Sequence, residues 1–475
     1  MREVNVTLES KAFSCDGLEV VSFKGKERIS SLYEFDLEVV VRSDDAPTAE
    51  AIAGSSVRLV FAMQGKPARF VQSIVGRVID RLDPVSGLRG YQLRLVPELF
   101  LMTQVMLQGV FRGSVPHILS EKLRACQIRS EFRLSGTYPE RDYVGQFAET
   151  DFAFVSRLAE HLGIAYFYAY DEEGERVVFT DDNLFRDLRG QLSFPFRGRG
   201  ERTDIYRFET EANVATSLVM VADYNYRTPE TAILGRYEVP KGTGGGTIEF
   251  GPHVRTAEEA NAVAKIRGEA IECRRVIHHG ESDRAALGAG VMFTMTDHPH
   301  LGDLDLLVVE VEHRIERTGD EVQNGALSYT NRFVAIPATT PFRPERVTPV
   351  PRVSGLLNGI VLSDPNSDQS TPWLDEAGRY RIGLLFDTLS ATADDPAARP
   401  MRMVQAQAGP GYGIHFPLRP GTEIVVGFVN GDIDRPLIVG AVPNTSTPSP
   451  VHSSVPLYNR IRTASGVTLE FEDGT

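Results

Sequence analysis

The stretch FVNGDIDRPLIVGAVPN, residues 428–444, decides how this chain is read. Asp432 and Asp434 sit among Asn, Gly and Pro, between the runs EIVVGFV (423–429) and PLIVGAV (436–442). A calcium loop needs a ladder of Asp or Asn side chains closed by a bidentate Glu, and this pair of aspartates does not supply one. Asn430 and Gly431 tolerate the positive φ of a tight turn. The stretch therefore predicts a hairpin connection in a β-barrel, which favours a building block over an acidic binding site.

Three further strand-like runs belong with it. GLLNGIVLS (355–363), GRYRIGLLFD (378–387), PMRMVQAQ (400–407), TEIVVGFV (422–429) and PLIVGAV are five short β-rich segments separated by turn signals, the pattern of a small OB-like barrel. Upstream, PATTPFRPERVTPVP (337–351) carries five prolines, which fix φ and remove backbone donors, so a linker is expected there. Downstream, a Ser/Thr/Pro-rich tail becomes NRIRTASGVTLEFEDGT (459–475), in which Val467, Leu469 and Phe471 alternate with polar residues. A strand this apolar should not stay uncovered, so partner chains or further sequence beyond Thr475 are expected to cover it.

The first hundred residues are mostly strand-like: LEVVSFKG (18–25), YEFDLEVVV (33–41), SVRLVFAM (56–63) and GYQLRLVP (90–97). In the second run Tyr33, Phe35, Leu37 and Val39 share one face. Three helices interrupt the strands. GSVPHILSEKLRAC offers Ser114 as N-cap, Pro116 in the first turn and Leu119, Leu123 and Cys126 on one face. ETDFAFVSRLAEHLGI has Thr150 or Asp151 to cap, an apolar stripe of Phe152, Val155, Leu158, Ala159 and Leu162, and Gly163 to end it. TAEEANAVAKIRGEA has a capping box of Thr256 and Glu259, with Val263, Ile266 and Ala270 at helical spacing. Period two then returns in LLVVEVEHRI, where Leu307, Val309, Val311, His313 and Ile315 share a face. The fold class is α+β, β-rich and multidomain, not an alternating βαβ enzyme fold.

Composition narrows the function. Lys plus Arg number 50 against 64 Asp plus Glu, a formal net charge of −14, which opposes phosphate binding and predicts no nucleic-acid partner. Cys15, Cys126 and Cys273 fit no metal spacing or disulfide framework and suit a reducing compartment. The N-terminus reads as no signal peptide, and no apolar run is long enough to predict stable membrane insertion.

Candidate chemistry reduces to structural readings. GPGYG (409–413) resembles a phosphate loop but is followed by the strand-like IHF, so a glycine hairpin is expected. His278 and His279, and His298 and His300 around Pro299, lack converging metal ligands; His313 reads as a hydrogen-bonded core histidine. Ser282 lacks a nucleophile elbow and reads as part of a turn. Glu149 with Asp151, and Asp375 with Glu376, read as helix-start and turn carboxylates rather than a glycosidase pair. Cys126 and Cys273 read as small core or near-core residues. No catalytic, cofactor-binding or metal residue is predicted, and no cofactor.

Together these segments carry a resemblance. LEVVSFKGKERISSLYEFDLEV, YPERDYVGQFAETDFAFVSRLAEHLGIAYFY, LGAGVMFTMTDHPH, LSYTNRFVAIPATTPFRPER and GYGIHFPLRPGTEIVVGFVNGDIDRPLIVGAV resemble, in order and over nearly the whole chain, the VgrG family of trimeric type VI secretion spikes. The resemblance implies a phage-hub-like base over 1–342, a Pro-rich linker at 343–352, an OB-fold over 353–444, and over 445–475 a neck that begins an intertwined β-helix. It implies a homotrimer that caps an Hcp-type tube hexamer, contacts baseplate proteins, and carries a PAAR-type tip protein and effectors on a C-terminal part absent from this sequence. Such a spike is assembled in the cytoplasm and injected by sheath contraction, and it needs no active site. The loop DTLSATADDPAARP (387–400) departs from the family pattern. Three other readings stay open: a hub of another contractile particle or phage tail, a spike with cell-wall hydrolase activity, and a barrel that stacks oligosaccharide or nucleic acid on Trp373, Tyr380, Phe386, Tyr412 and Phe416.

Overall fold

The computed structural model describes residues 4–42, 46–63, 66–83, 88–198, 200, 202–317, 327–364, 370–389 and 399–474. They form two compact units, the first comprising 1–105, 115–138 and 151–349 and the second 106–114, 139–150 and 350–475. Two segments inside the range read as the hub, 106–114 and 139–150, thus fold with the barrel. Of the 387–400 loop, residues 390–398 lie outside the described residues.

The first unit is built on a 13-stranded sheet. Its hydrogen-bonded order runs Val4–Ser10, Ser56–Met63, Lys66–Asp83, Leu88–Val96, Glu34–Arg42, Glu19–Arg28, Gly302–Arg317, Leu327–Pro337, Val276–Ser282 and Ile205–Ala212. Val291–His298 pairs with Gly302–Arg317 and takes Arg186–Asp187 and Ser193–Pro195 alongside it in parallel. Alternation sets the faces: Tyr33, Phe35, Leu37 and Val39 are all buried, as are Leu307, Val309, Val311, His313 and Ile315. The two long strands shift register between Val75 and Arg77 and between Val308 and Glu310, irregularities that let a strand of such length bend with the sheet.

Among the described residues, four α-helices decorate this unit: α1 (Ala49–Ile52), α2 (Val115–Ala125), α3 (Asp151–His161) and α4 (Ala257–Glu272). Leu119 and Leu123 of α2 are fully buried with Ile118. In α3 the stripe differs from expectation: Phe154 rather than Phe152 is the buried aromatic, and Ser156, Arg157 and Glu160 are buried too. The helix is enclosed on more than one side, which an amphipathic template does not anticipate. Gly163, at φ +67°, ends it. Thr256 caps α4 by accepting from Glu259 N–H at 3.2 Å, while the Glu259 carboxylate accepts from Arg255 N–H at 3.0 Å.

α4 lies across a three-stranded sheet ordered Ile233–Glu238, Leu218–Asp223, Gly246–Phe250. Gly235 permits the close approach, since a Cβ there would stand 2.1 Å from the carbonyl carbon of Ala260. The proline-rich stretch is not free at its first half. Arg343 Nε donates to Glu269 at 2.7 Å, and Glu160 accepts from Val347 N–H at 3.1 Å, Thr348 N–H at 3.0 Å and Thr348 Oγ1 at 2.7 Å.

The second unit holds a five-stranded sheet ordered Arg399–Met401, Tyr380–Leu384, Leu357–Val361, Glu423–Phe428, Pro436–Ala441, with a Met403–Ile438 bridge between its ends. Val361, Tyr380, Ile382, Ile424, Val426 and Ile438 fill it. The antiparallel pair of Met106–Gly113 and Arg141–Thr150 adds Val110 to this core. No helix among the described residues is long and apolar enough to cross a membrane.

Candidate functional site

The decisive stretch is the turn it was expected to be. Asn430 (φ 56°) and Gly431 (φ 71°) take the left-handed conformation between the strands Glu423–Phe428 and Pro436–Ala441. Asp434 accepts from Gly145 N–H at 2.6 Å, and Ile433 is fully buried where a Cβ on Gly145 would come within 2.5 Å of it. The turn is a clasp on the 141–150 strand.

The densest polar cluster lies inside the large sheet. Glu27 faces inward because it follows Phe23 and Gly25 at period two. Its carboxylate accepts from Arg69 Nη1 at 2.6 Å and Nη2 at 2.8 Å, and from His313 Nε2 at 2.5 Å. Tyr329 Oη lies 2.6 Å from His313 Nδ1, and Asn331 Nδ2 donates to Tyr329 Oη at 3.0 Å. The consistent proton arrangement is a neutral imidazole that receives from Tyr329 and donates to Glu27. Burial raises the Glu27 carboxyl, but Arg69 and His313 outweigh it and hold it well below the carboxylate range. Burial likewise depresses His313, against the pull of Glu27. Glu27, His313, Tyr329 and Asn331 are buried and the Arg69 side chain is 9% exposed, so the relay acts as a clamp across strands. The expectation that His313 is a hydrogen-bonded core residue holds. Its partners went unseen, although the inward parity of Glu27 was the available signal.

A second buried carboxyl, Glu175, receives Glu98 N–H at 2.9 Å and lies 2.5 Å from Tyr33 Oη, which also bonds Gln72 O at 2.8 Å. With no cation bonded to it among the described residues, burial pushes it to about 8.

The other candidates disperse. His278 is buried, with Nδ1 3.0 Å from Thr210 Oγ1 and its ring stacked on Phe208, while His279 is partly exposed and lies 2.9 Å from Glu211. His298 packs on Phe196 and accepts from His300 and Leu301 N–H, so the HPH segment is a turn. Ser282 corrects its reading: it is a buried strand terminus whose Oγ accepts from Arg284 N–H at 2.9 Å. Glu149 lies in a strand rather than at the helix start; Asp151 opens α3 and pairs with Lys122 at 2.8 Å. Asp375 holds a turn through Ala377 and Arg379 N–H. Residues 408–413 form a glycine hairpin. Burial raises all three thiols. Of the aromatic set, Tyr380 is core, Phe386 packs on Phe147, and Tyr412 and Phe416 are exposed.

The tail forms a two-stranded ribbon, Tyr458–Arg462 with Thr468–Glu472. One face carries Leu457, Ile461, Val467, Leu469 and Phe471, the last three 69%, 54% and 61% exposed. The other carries the Arg460–Glu470 pair. A ribbon of two strands with an open apolar face does not hold itself together in water.

Residues 26–319 match the family model of the phage tail baseplate hub (GPD), well over half of the chain. The chain belongs to this hub family. Residues 371–442 of the hub chain match the type VI secretion system/phage-baseplate injector OB domain, on the barrel. Among relatives, it is 28% identical over 448 residues to the type VI secretion system spike protein VgrG1c of Pseudomonas aeruginosa, covering 91% of this chain and 61% of that protein. It is 30% identical over 457 residues to VgrG5 of the same organism, covering 89% and 55%. The hub chain thus spans little more than half the length of these curated relatives. In fold it is similar to the E. coli c3393 protein, a type VI secretion component with structural similarity to the T4 bacteriophage tail proteins gp27 and gp5, at a TM-score of 0.67 and 21% identity over 92% of this chain and 100% of that one.

Proposed function

We propose that the chain is the base and neck of a trimeric type VI secretion spike. Its first unit, with the barrel, forms a hub that caps an Hcp-type hexameric tube within a cytoplasmic baseplate, over the expected divisions 1–342, 343–352, 353–444 and 445–475. A PAAR-type tip and effectors ride on sequence beyond this chain, and sheath contraction drives the assembly through membranes without catalysis. The observation that carries the reading is the tail ribbon: its uncovered apolar face needs partners of the same kind, and a symmetric trimer supplies them. The buried clamp around Glu27 supports a rigid, non-enzymatic role, because it stiffens the sheet and offers nothing to solvent.

The test is genetic. In the encoding bacterium, stripped of its other spike genes, loss of this gene should stop release of tube protein into the medium. A copy carrying Leu469→Asp and Phe471→Asp should fail to restore release. Undiminished release without the gene contradicts the proposal.

A further inference from the structure

We propose that the groove beside the free edge of the strand Gly246–Phe250 docks an extended, acidic segment of a partner protein. This inference stands apart from the spike reading. The strand pairs on one side only, in parallel with Leu218–Asp223; its other edge meets no strand among the described residues. An unpaired edge presents N–H and C=O groups to any extended chain. Native edges are commonly blunted by charge or proline, yet this one displays Ile248 and Phe250 at 65% and 66% exposure.

A groove of about 780 Å³ is lined by this strand, the second half of α4 and the segment Pro344–Arg346. That volume suits a few side chains of a bound peptide. Its apolar lining includes Val214, which is 87% exposed, with Ile248, Ile266 and Ile271.

Charge accounting selects the occupant. Every carboxylate of the lining is engaged: Glu160 by Val347 and Thr348, Glu249 by Arg267 at 2.9 Å and Arg346 at 2.6 Å, and Glu345 by Arg274 at 3.8 Å. Arg275 has no carboxylate partner among the described residues, and its Nε is shielded from solvent without a hydrogen bond. In a chain of net charge −14, a groove with a spare guanidinium favours an acidic partner. The geometry points to strand addition to residues 246–250, with side chains of one parity over Ile248 and those of the other parity toward Ile266 and Ile271 of α4, and a carboxylate on Arg275.

The probe is a displayed library of ten-residue peptides, panned on the intact chain and, in parallel, on its Ile248→Lys variant. Both Ile248 and Arg275 can be changed without opening the core, and circular dichroism verifies the fold of each variant. Enriched peptides should alternate apolar residues and carry Asp or Glu. The leading peptide, labelled and titrated by anisotropy, should lose about ten-fold or more in affinity on Arg275→Glu, in keeping with a lost charge-assisted hydrogen bond. It should also slow amide exchange at 247–250. Equal enrichment on the Ile248→Lys chain, or binding indifferent to Arg275→Glu, overturns the proposal. So does protection of 246–250 in the free chain that grows with protein concentration, because a second copy would then hold the edge.

Discussion

Replacing Glu175 by Gln should stabilise the first unit at neutral and alkaline pH and remove most of one limb of its pH dependence. Glu175 is buried against Tyr33 and the Glu98 amide, and burial raises its carboxyl from an ordinary 4.5 to about 8. A raised value in the folded state means that the fold binds this proton more tightly than the unfolded chain does. The stabilisation is complete below 4.5 and is lost as pH rises through 8. Each pH unit in that window costs about 1.4 kcal/mol, so the loss between pH 4.5 and pH 7 is on the order of 3 kcal/mol. The glutamine amide reproduces the protonated pattern, with Nε2 donating to Tyr33 Oη and Oε1 accepting from Glu98 N–H. Urea unfolding followed by far-ultraviolet circular dichroism at pH 5.5 and 8.5 gives the comparison, and subtracting variant from parent cancels the other titrating groups. The parent should lose on the order of 3 kcal/mol more than the variant across this interval. Parallel losses would refute the reasoning.

The clamp titrates in the opposite sense. Glu27 is depressed, so its contribution is present above the ordinary carboxylate value and lost as pH falls, and Arg69→Met should cost about 3–5 kcal/mol in urea at pH 7 by stranding the buried carboxylate. Adding Glu27→Gln to Arg69→Met should recover part of that loss; no recovery would mean that packing rather than charge carries it. Gly235→Ala should cost about 1–3 kcal/mol in the same assay, because the new methyl meets helix backbone that cannot swing aside. Cys273, buried and with its thiol held up, should resist Ellman's reagent in the folded chain at pH 8 and react fully in urea; fast reaction when folded would contradict its placement.

Legibility in the sequence followed locality. The barrel strands, the Asn430–Gly431 turn and the α4 capping box were readable because each depends on neighbours within a few residues. The face shared by Tyr33, Phe35, Leu37 and Val39 was readable because a strand buried on one side alternates. What stayed hidden depends on distant partners. α3 is enclosed on several sides, so its stripe was misplaced from Phe154 to Phe152. The grouping of 106–114 and 139–150 with the barrel rests on contacts such as Gly145 with Asp434, 289 residues apart. The Glu27–His313 bond spans 286 residues, so the histidine could be recognised as a core residue while its partner could not. Arg275 shows nothing in sequence, since its meaning is the lack of a carboxylate partner among the described residues once the other charges have paired.

The central claim is that three copies of this chain close over the apolar tail face. Native mass spectrometry of residues 1–475 at low micromolar concentration tests it most directly, with the Leu469→Asp, Phe471→Asp variant alongside. The account predicts a three-chain species for the parent and a shift toward single chains for the variant. A single-chain parent, or an assembly indifferent to both substitutions, would contradict it.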